Sequence, residues 1–214
     1  MRIPGAFLLG LFLLVPSIGS ASIHNRPHGG FVGRINQAAL ISDDVPSRYT
    51  KALTGFSLGG FAVFPVNEAV AIQFETVFTR KGGRYVVEDS FFNGRDIYRF
   101  DYIEVAPLLQ LSLPLQSAVR LFGEFGPILS FTVAGEVDTR ITEGSYTETA
   151  NFDVSDELNP VELGVALGGG ISIPFDAMGL VFGVRYHWGM TDPVEDFPLD
   201  VRSRNLMFQT GIFF

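Results

Sequence analysis

The chain has 214 residues, of which 47% are hydrophobic and only 18% are charged, and its formal net charge is −8 at pH 7. The length suits one domain with a sizeable core. The acidic balance argues against a nucleic-acid partner, because phosphate binding needs clustered Lys and Arg. The absence of cysteine excludes disulfides, thiolate metal sites and cysteine nucleophiles. The high apolar content instead favours a membrane protein.

The N-terminus has the three parts of a secretory signal peptide. Arg2 supplies a positive charge, residues 6–15 form an apolar core, and Gly19-Ser20-Ala21 offers small residues for cleavage. Pro16 ends the apolar core too early for a spanning helix. An uncleaved membrane anchor is the alternative. We predict three regions, a signal peptide (1–21), an N-terminal tail (22–29) and an exported domain (30–214).

Beyond residue 30, apolar residues recur at every second position. The even positions from Leu180 to Met190 are all apolar or aromatic, and the odd positions are mostly small or polar. Residues 161–173 and 204–214 repeat this pattern. Alternation is typical of half-buried antiparallel strands. Charges within these strands are too few to cover a solvated surface, so the pattern favours a transmembrane barrel with apolar residues towards lipid and polar residues inside.

The alternation marks eight segments, each long enough to cross a bilayer as a tilted strand, which takes about 9–11 residues. They are residues 30–39, 53–64, 69–81, 98–113, 118–133, 161–173, 179–190 and 204–214. Their number and pattern predict an all-β fold, an eight-stranded antiparallel up-and-down transmembrane β-barrel.

The connections between these segments alternate in length. The short ones, each with a proline after an apolar residue, are 64–68, 113–117 and 173–176, and the long ones are 40–52, 80–97, 134–160 and 190–203. Bacterial barrels have short turns on the periplasmic side and long loops outside. We therefore predict that both termini lie in the periplasm.

Aromatic residues near the strand ends predict two interfacial girdles. The outer positions are Phe78, Phe131, Tyr186 and Trp188, and the inner ones are Phe64 and Phe214. The alternative is that aromatic residues simply favour strands.

Five stretches resemble the small outer-membrane β-barrel family known as porin-like or outer membrane protein β-barrel domain proteins. They are residues 78–83, 101–109, 123–127, 184–192 and 208–214. The resemblance implies a location in the bacterial outer membrane and assigns no shared activity. It also implies that Phe214 is the C-terminal aromatic signal for the barrel-assembly machinery. Ala106 departs from the family pattern before a proline, and we expect a bulge there.

Polar residues on the inward positions predict a buried salt-bridge network that fills the lumen. The inward ionisable residues are Arg34, Glu75, Lys81, Glu104, Arg120, Glu124, Glu162, Arg185 and His187. The network is expected to pair four glutamates with three arginines: Glu75, Glu104, Glu124 and Glu162 with Arg34, Arg120 and Arg185. An eight-stranded barrel is only wide enough for its own side chains. The alternative is a narrow passive pore for small solutes.

No catalytic, cofactor or metal site is expected. His24 and His28 lie in the predicted tail, where two histidines without a scaffold are a weak metal signal. His187 has no serine beside it on its strand, and a buried lumen histidine is the favoured interpretation. A lipid-modifying enzyme, with Ser, His and an acid near the outer surface, is the less favoured alternative.

The connection 134–160 holds seven acidic residues against Arg140, without the regular Asp spacing of a calcium loop. We expect it to be a solvated, mobile acidic loop. The sequence therefore predicts a non-enzymatic monomer with a structural or surface-interaction role. Its expected partners are outer-membrane lipids, the barrel-assembly machinery, and an unidentified extracellular partner bound through residues 80–97 and 134–160.

Overall fold

The computed structural model describes residues 26–42, 45–88, 92–115, 119–194 and 201–214. These residues form a 10-stranded sheet and a short 3-10 helix at Ser155–Glu157. The strands are β1 (His28–Ser42), β2 (Thr50–Lys51), β3 (Leu53–Pro65), β4 (Val70–Glu88), β5 (Phe92–Pro114), β6 (Arg120–Glu143), β7 (Tyr146–Asp153), β8 (Val161–Phe175), β9 (Met178–Gly189) and β10 (Val201–Phe213). In this part of the chain no helix is long and apolar enough to cross a membrane. The predicted signal peptide, and the tail up to residue 25, lie outside the described residues.

A ring of 8 antiparallel strands forms the barrel. The chain runs from β1 through β3, β4, β5, β6, β8 and β9 to β10, each paired with the next. The ring closes between β1 and β10, where Phe31 pairs with Ile212. The predicted eight-stranded up-and-down barrel is therefore confirmed, and each predicted segment overlaps one of these strands.

The two faces of the strands are inverted relative to a soluble protein. On β8, Val161, Leu163 and Val165 are exposed on the outside, while Glu162 and Ala166 are buried on the inside. The same alternation continues along β10. Because the outer face is apolar, this arrangement is stable only in lipid, and every backbone N–H and C=O of the ring can pair with a neighbouring strand.

Short turns and both described termini share one end of the barrel. Asn67 Oδ1 accepts hydrogen bonds from the backbone N–H groups of Ala69 and Val70, each at 2.9 Å, in the turn between β3 and β4. Asp176, with φ 45°, begins the two-residue turn between β8 and β9. Short turns lie on the periplasmic side of bacterial barrels, so this end faces the periplasm. His28 and Phe214 lie at the same end.

At the opposite end the strands continue further than predicted. β4 runs to Glu88 and β5 begins at Phe92, so most of the predicted loop 80–97 is a paired ladder. β6 continues to Glu143 and pairs with β7, with Gly144 (φ 58°) in their turn. The prediction of a loop at 134–160 is therefore wrong for most of its length. Most of its residues on β7 are exposed as expected, and the predicted mobility stays a prediction. Both faces of these hairpins carry polar residues, and so the alternation that marks a half-buried strand is missing.

The structure has no register shift at Ala106, where a bulge was expected. Val105 pairs with Leu129 and Leu109 with Phe125, so the register is unchanged across Ala106. The register shifts instead between Asp101 and Tyr102, where β6 contributes Val133 as an extra residue. Beyond this shift the inward positions of β6 change from even to odd numbers.

Candidate functional site

The polar interior of the barrel is the candidate site. Its charged side chains come from the inward positions of β1, β4, β5, β6, β8 and β9, and those that form ion pairs are at most 5% exposed. They form two groups, one nearer the periplasm and one nearer the outer surface.

The lower cluster consists of Arg34, Glu75, Glu124 and Arg185. Arg34 Nη2 donates to Glu75 Oε2 at 2.6 Å, and Arg185 Nη1 donates to Glu75 Oε1 at 2.7 Å. Arg185 Nε donates to Glu124 Oε1 at 2.8 Å. Two guanidinium groups thus face two carboxylates, and the cluster is neutral.

Two neutral amides complete the lower cluster. Gln209 Oε1 accepts from Arg34 Nε at 3.0 Å, and Gln209 Nε2 donates to Glu124 Oε1 at 3.2 Å. Gln73 Nε2 donates to Glu75 Oε2 at 3.3 Å. Buried charges are stable only when their remaining donors and acceptors are satisfied, and these amides serve that purpose.

The upper cluster consists of Lys81, Glu104 and Glu162. Lys81 Nζ lies 3.0 Å from Glu104 Oε1 and 3.2 Å from Glu162 Oε2. It also lies 4.4 Å from the centre of the Tyr102 ring, a cation–π contact. One ammonium group therefore serves two carboxylates.

Hydroxyl groups compensate part of this imbalance. Thr79 Oγ1 donates to Glu104 Oε2 at 2.9 Å, and Ser130 Oγ donates to Glu104 Oε1 at 3.1 Å. Ser203 Oγ donates to Glu162 Oε1. The upper cluster thus relies on neutral donors where the lower one uses a second cation.

His187 borders the upper cluster without a hydrogen bond. Its Nδ1 is 3.7 Å from Glu104 Oε1, and the side chain is fully buried. Among the described residues, neither ring nitrogen of His187 and neither amide atom of its cross-strand neighbour Asn205 has a hydrogen-bond partner. Such groups carry a desolvation cost, and they make this part of the lumen less well satisfied than the lower cluster.

Inward glycines provide the space for these side chains. A Cβ on Gly168 would lie 2.8 Å from Glu124 Oε1, and a Cβ on Gly164 would lie 2.3 Å from His187 Nε2. Gly164 and Gly168 on β8 are therefore required by the bulk of His187 and Glu124.

Arg120 does not join either cluster, contrary to the prediction. It is inward-facing but half-buried, at the periplasmic start of β6, and its Nη1 donates to the carbonyl oxygen of Glu68 at 2.9 Å. The position of a residue in the alternation gives the direction of its side chain but not its depth in the lumen. Arg120 is the first residue of β6 and therefore lies nearer the periplasm than the lower cluster. Lys81, which the predicted network omitted, supplies the third cation.

The polar residues that sequence reasoning missed are neutral ones. They are Asn36, Ser57, Gln73, Thr79, Ser130, Ser172, Ser203, Asn205 and Gln209, all buried. Each lies at the inward parity of its strand, so the alternation could have identified them.

The two ends of the lumen differ. At the periplasmic end a cavity opens to solvent, and Arg34, Glu75 and Glu124 form part of its lining. At the outer end Leu158 packs against Phe100 and Tyr102 in an apolar cluster. The segment that carries Leu158 is held by Asn159, whose Nδ2 donates to the carbonyl oxygen of Asp192 at 2.9 Å.

The aromatic residues predicted as girdles all lie on the outward face. Phe64, Phe131, Tyr186, Trp188 and Phe214 are exposed, and Phe78 is half-buried. Their contact with the membrane interface stays a prediction.

Phe214 is held at the periplasmic end. Its backbone N–H donates to the Gly29 carbonyl at 2.9 Å, and its ring centre lies 6.1 Å from that of Phe31. Its role as an assembly signal also stays a prediction.

Among the residues that the structure describes, no three His, Asp or Glu side chains are close enough to hold a metal ion. His24 lies outside these residues, and His28 Nδ1 contacts the Arg26 carbonyl oxygen at 2.9 Å.

A family model described as outer membrane protein beta-barrel domain matches residues 22–194. The chain belongs to this family. As a member of the outer membrane protein beta-barrel domain family it is a protein of the bacterial outer membrane. A comparison with curated proteins gives no match.

Solved structures of outer-membrane barrels are similar at low sequence identity. Ail of Yersinia pestis is 16% identical, with a TM-score of 0.39 over 88% of this chain and 99% of Ail. The neisserial surface protein NspA is 16% identical, with a TM-score of 0.47 over 86% of this chain and 96% of NspA. OprG of Pseudomonas aeruginosa is 13% identical, with a TM-score of 0.41 over 90% of this chain and 99% of OprG.

Proposed function

We propose that the protein is a non-enzymatic outer-membrane barrel with a structural or surface-interaction role, and that its lumen is closed to solutes. The observation that carries the proposal is the pairing of buried charges across the interior. Arg185 on β9 reaches Glu75 on β4, at the far side of the ring, with an Nη1–Oε1 distance of 2.7 Å. A side chain that spans the lumen in this way leaves no path beside it in so narrow a barrel.

The upper half of the interior supports the same proposal. Lys81 joins β4 to β5 and β8 through Glu104 and Glu162. Above it, the buried Phe100 and Tyr102 pack under Leu158. A hydrated solute would have to displace a paired charge and an apolar contact in succession, and both are costly.

Conductance in planar lipid bilayers tests the closed lumen. The wild-type protein is expected to be silent. A double variant, Arg185→Ala with Glu75→Ala, removes the cross-lumen bridge without changing the net charge and should admit ions. The matched control, Arg120→Ala with Glu68→Ala, also removes one charge of each sign, but at the periplasmic rim, and it should stay silent. Stepwise conductance of the wild type as large as that of the first variant would contradict the proposal.

A narrow passive pore is the second candidate, and the periplasmic cavity favours it. The cavity opens at the periplasmic end and its inner wall includes Arg34 and Glu75, so an ion would have to pass only the paired charges and the lumen above them. If the charge pairs exchange partners rapidly, small ions could pass. Conductance of the wild type that falls when Leu158 is replaced by Trp would support this second function.

A lipid-modifying enzyme is the alternative from another class. His187 is the general base that such chemistry would need, but it is fully buried in the lumen, away from lipid. We therefore expect no change in acyl chains when the folded protein is incubated with outer-membrane lipids. Release of fatty acids that is lost in His187→Gln would overturn the non-enzymatic assignment.

The surface role is proposed for the outer hairpins. β4 with β5, and β6 with β7, extend beyond the barrel on a rigid scaffold and carry exposed polar residues. Recognition sites commonly lie on such projections.

A further inference from the structure

The outer wall of the extended hairpins carries two arginines that face each other. Arg95 on β5 pairs directly with Arg140 on β6 in the antiparallel ladder, and both side chains are exposed. Like charges directly opposite on one face of a sheet destabilise it. The pair therefore favours an anion between the two guanidinium groups.

Neither arginine has a hydrogen-bonded acidic partner among the described residues. Among the described residues, no hydrogen bond or ion pair involves the guanidinium group of Arg95 or Arg140. The Asp138 carboxylate attracts Arg95, but it is already engaged by Arg99 and by Asn151 Nδ2, the latter at 2.5 Å. The arginine pair thus remains available to a ligand.

The pair borders a pocket with further hydrogen-bonding groups. The pocket is a depression open to solvent, and it is lined by Val86, Asn93, Gly94, Arg95, Arg140 and Thr142. Two guanidinium groups offer paired N–H donors that match the oxygens of a phosphate. The Asn93 amide and the Thr142 hydroxyl can donate to the remaining oxygens.

The wall on which the pocket lies indicates where the anion comes from. Arg95 and Arg140 share the outward face with Arg80 and Asp101, whose side chains are joined at 2.6 Å, and this face continues the lipid-facing side of the barrel. The pocket therefore opens sideways, towards neighbouring lipids, and not into the mouth of the barrel.

The height of the pocket further restricts the ligand. Arg140 follows Phe131 by nine residues along β6. At about 3.3 Å per residue and a strand tilt of about 40°, Arg140 lies roughly 20 Å beyond the level of Phe131. A simple phospholipid headgroup does not extend so far from its acyl chains, whereas the sugars of an outer-leaflet glycolipid do.

We propose that Arg95 and Arg140 bind a phosphate group on the sugar portion of an outer-leaflet glycolipid. The inference deepens the proposed surface role and rests on it. It does not depend on whether the lumen conducts, so bilayer conductance and lipid binding test the two proposals separately.

The test compares binding of purified lipopolysaccharide that has phosphorylated core sugars with binding of the same material after enzymatic dephosphorylation. The folded full-length protein is kept in detergent, and bound lipopolysaccharide is measured by titration with a fluorescent derivative. The wild type should bind the phosphorylated form at least about tenfold more tightly, which corresponds to about 1.4 kcal/mol. The double variant Arg95→Gln with Arg140→Gln should lose this preference.

A charge-matched control separates the pocket from general attraction. Arg48→Gln with Lys51→Gln removes two exposed positive charges at the same end of the barrel, outside the pocket. This variant should keep the preference for the phosphorylated form. The heat-dependent shift of the folded barrel in gel electrophoresis confirms that every variant is folded.

Three results would overturn the proposal. The first is equal loss of binding in the two double variants, which would indicate general electrostatic attraction. The second is binding of inorganic phosphate as tight as that of lipopolysaccharide, which would show that the site recognises phosphate alone and not the glycolipid that carries it. The third is tighter binding of heparin than of phosphorylated lipopolysaccharide, which would assign the pair to a soluble sulfated glycan.

Discussion

The lower cluster sets two guanidinium groups against two carboxylates, whereas the upper cluster sets one ammonium group against two. In the lower cluster Arg185 alone reaches both Glu75 and Glu124. The planar guanidinium has five donors in a fixed arrangement, and the ammonium of Lys81 has three on a flexible stem. The charges of the lower cluster thus cancel, whereas the upper cluster has one more carboxylate than cations.

The difference shows how a narrow barrel can hold charge at two levels. Where two arginines are present, the amides of Gln73 and Gln209 satisfy the remaining positions. Where one lysine is present, hydroxyl groups take over, and His187 and Asn205 stay without hydrogen bonds among the described residues. We therefore expect the stability of the upper half to depend on Lys81 more than that of the lower half depends on any one residue.

Replacement of Lys81 by Met should have the largest effect. It leaves two buried carboxylates without their cation, and we expect the free energy of unfolding to fall by about 5 kcal/mol, the upper end of the usual cost of breaking a buried pair. Urea unfolding in lipid vesicles measures the loss. The control adds Glu104→Gln and Glu162→Gln, which should recover most of it. A loss below about 1 kcal/mol would mean that the upper cluster is hydrated.

Arg185→Met should cost less, about 3 kcal/mol, because Glu75 keeps Arg34 and Glu124 keeps Gln209. The same unfolding experiment applies. Arg120→Met, at the half-buried periplasmic rim, is the matched control and should cost at most about 1 kcal/mol. If the two arginine variants are equally destabilised, depth in the lumen does not determine the strength of these pairs.

Neutralising one acid in each cluster gives a sharper contrast. Glu162→Gln leaves one cation with one carboxylate in the upper cluster, whereas Glu124→Gln leaves an excess of positive charge in the lower one. We expect Glu162→Gln to be less destabilising, by at least about 1 kcal/mol. The reverse order would show that charge balance is not what distinguishes the two clusters.

An exposed pair on the outer hairpins should show the smallest effect. The Arg99 guanidinium, and then the Asn151 amide, hold the pKa of Asp138 below its ordinary value of 3.8. Because folding lowers the pKa of Asp138, its carboxylate stabilises the hairpin fully at a pH above the unfolded-state pKa. This stabilisation is lost as the pH falls through the lower folded-state pKa. Solvent screens this pair, so only local opening is expected.

Amide hydrogen exchange of β6 and β7 measures this opening. Exchange, corrected for its intrinsic pH dependence, should increase when the pH is lowered below about 3.8, the ordinary value for Asp138. Asp138→Asn should abolish that increase. If the variant keeps the wild-type pH dependence, another acid, such as Asp153 beside Ser155, controls the hairpin.

The strands within the membrane were predictable because their two faces meet different surroundings. On β9, Tyr186 and Trp188 face outward and Arg185 and His187 inward, and a period of two follows directly. The outer hairpins have polar surroundings on both faces, and β7 was therefore missed. The extra residue Val133 was missed as well, because a register shift depends on the partner strand and leaves no local signal.

By itself, the amino-acid sequence determined the barrel, its number of strands, its orientation and the direction of each charged side chain. These properties follow from alternation, strand length and turn length, which are local. Only the tertiary structure decided which charges meet. Arg185 and Glu75 are 110 residues apart in the chain, and Lys81 and Glu162 belong to strands on different sides of Glu104. Their distances depend on the shear and closure of the ring, which bring distant strands to the same depth and leave Arg120 at the rim.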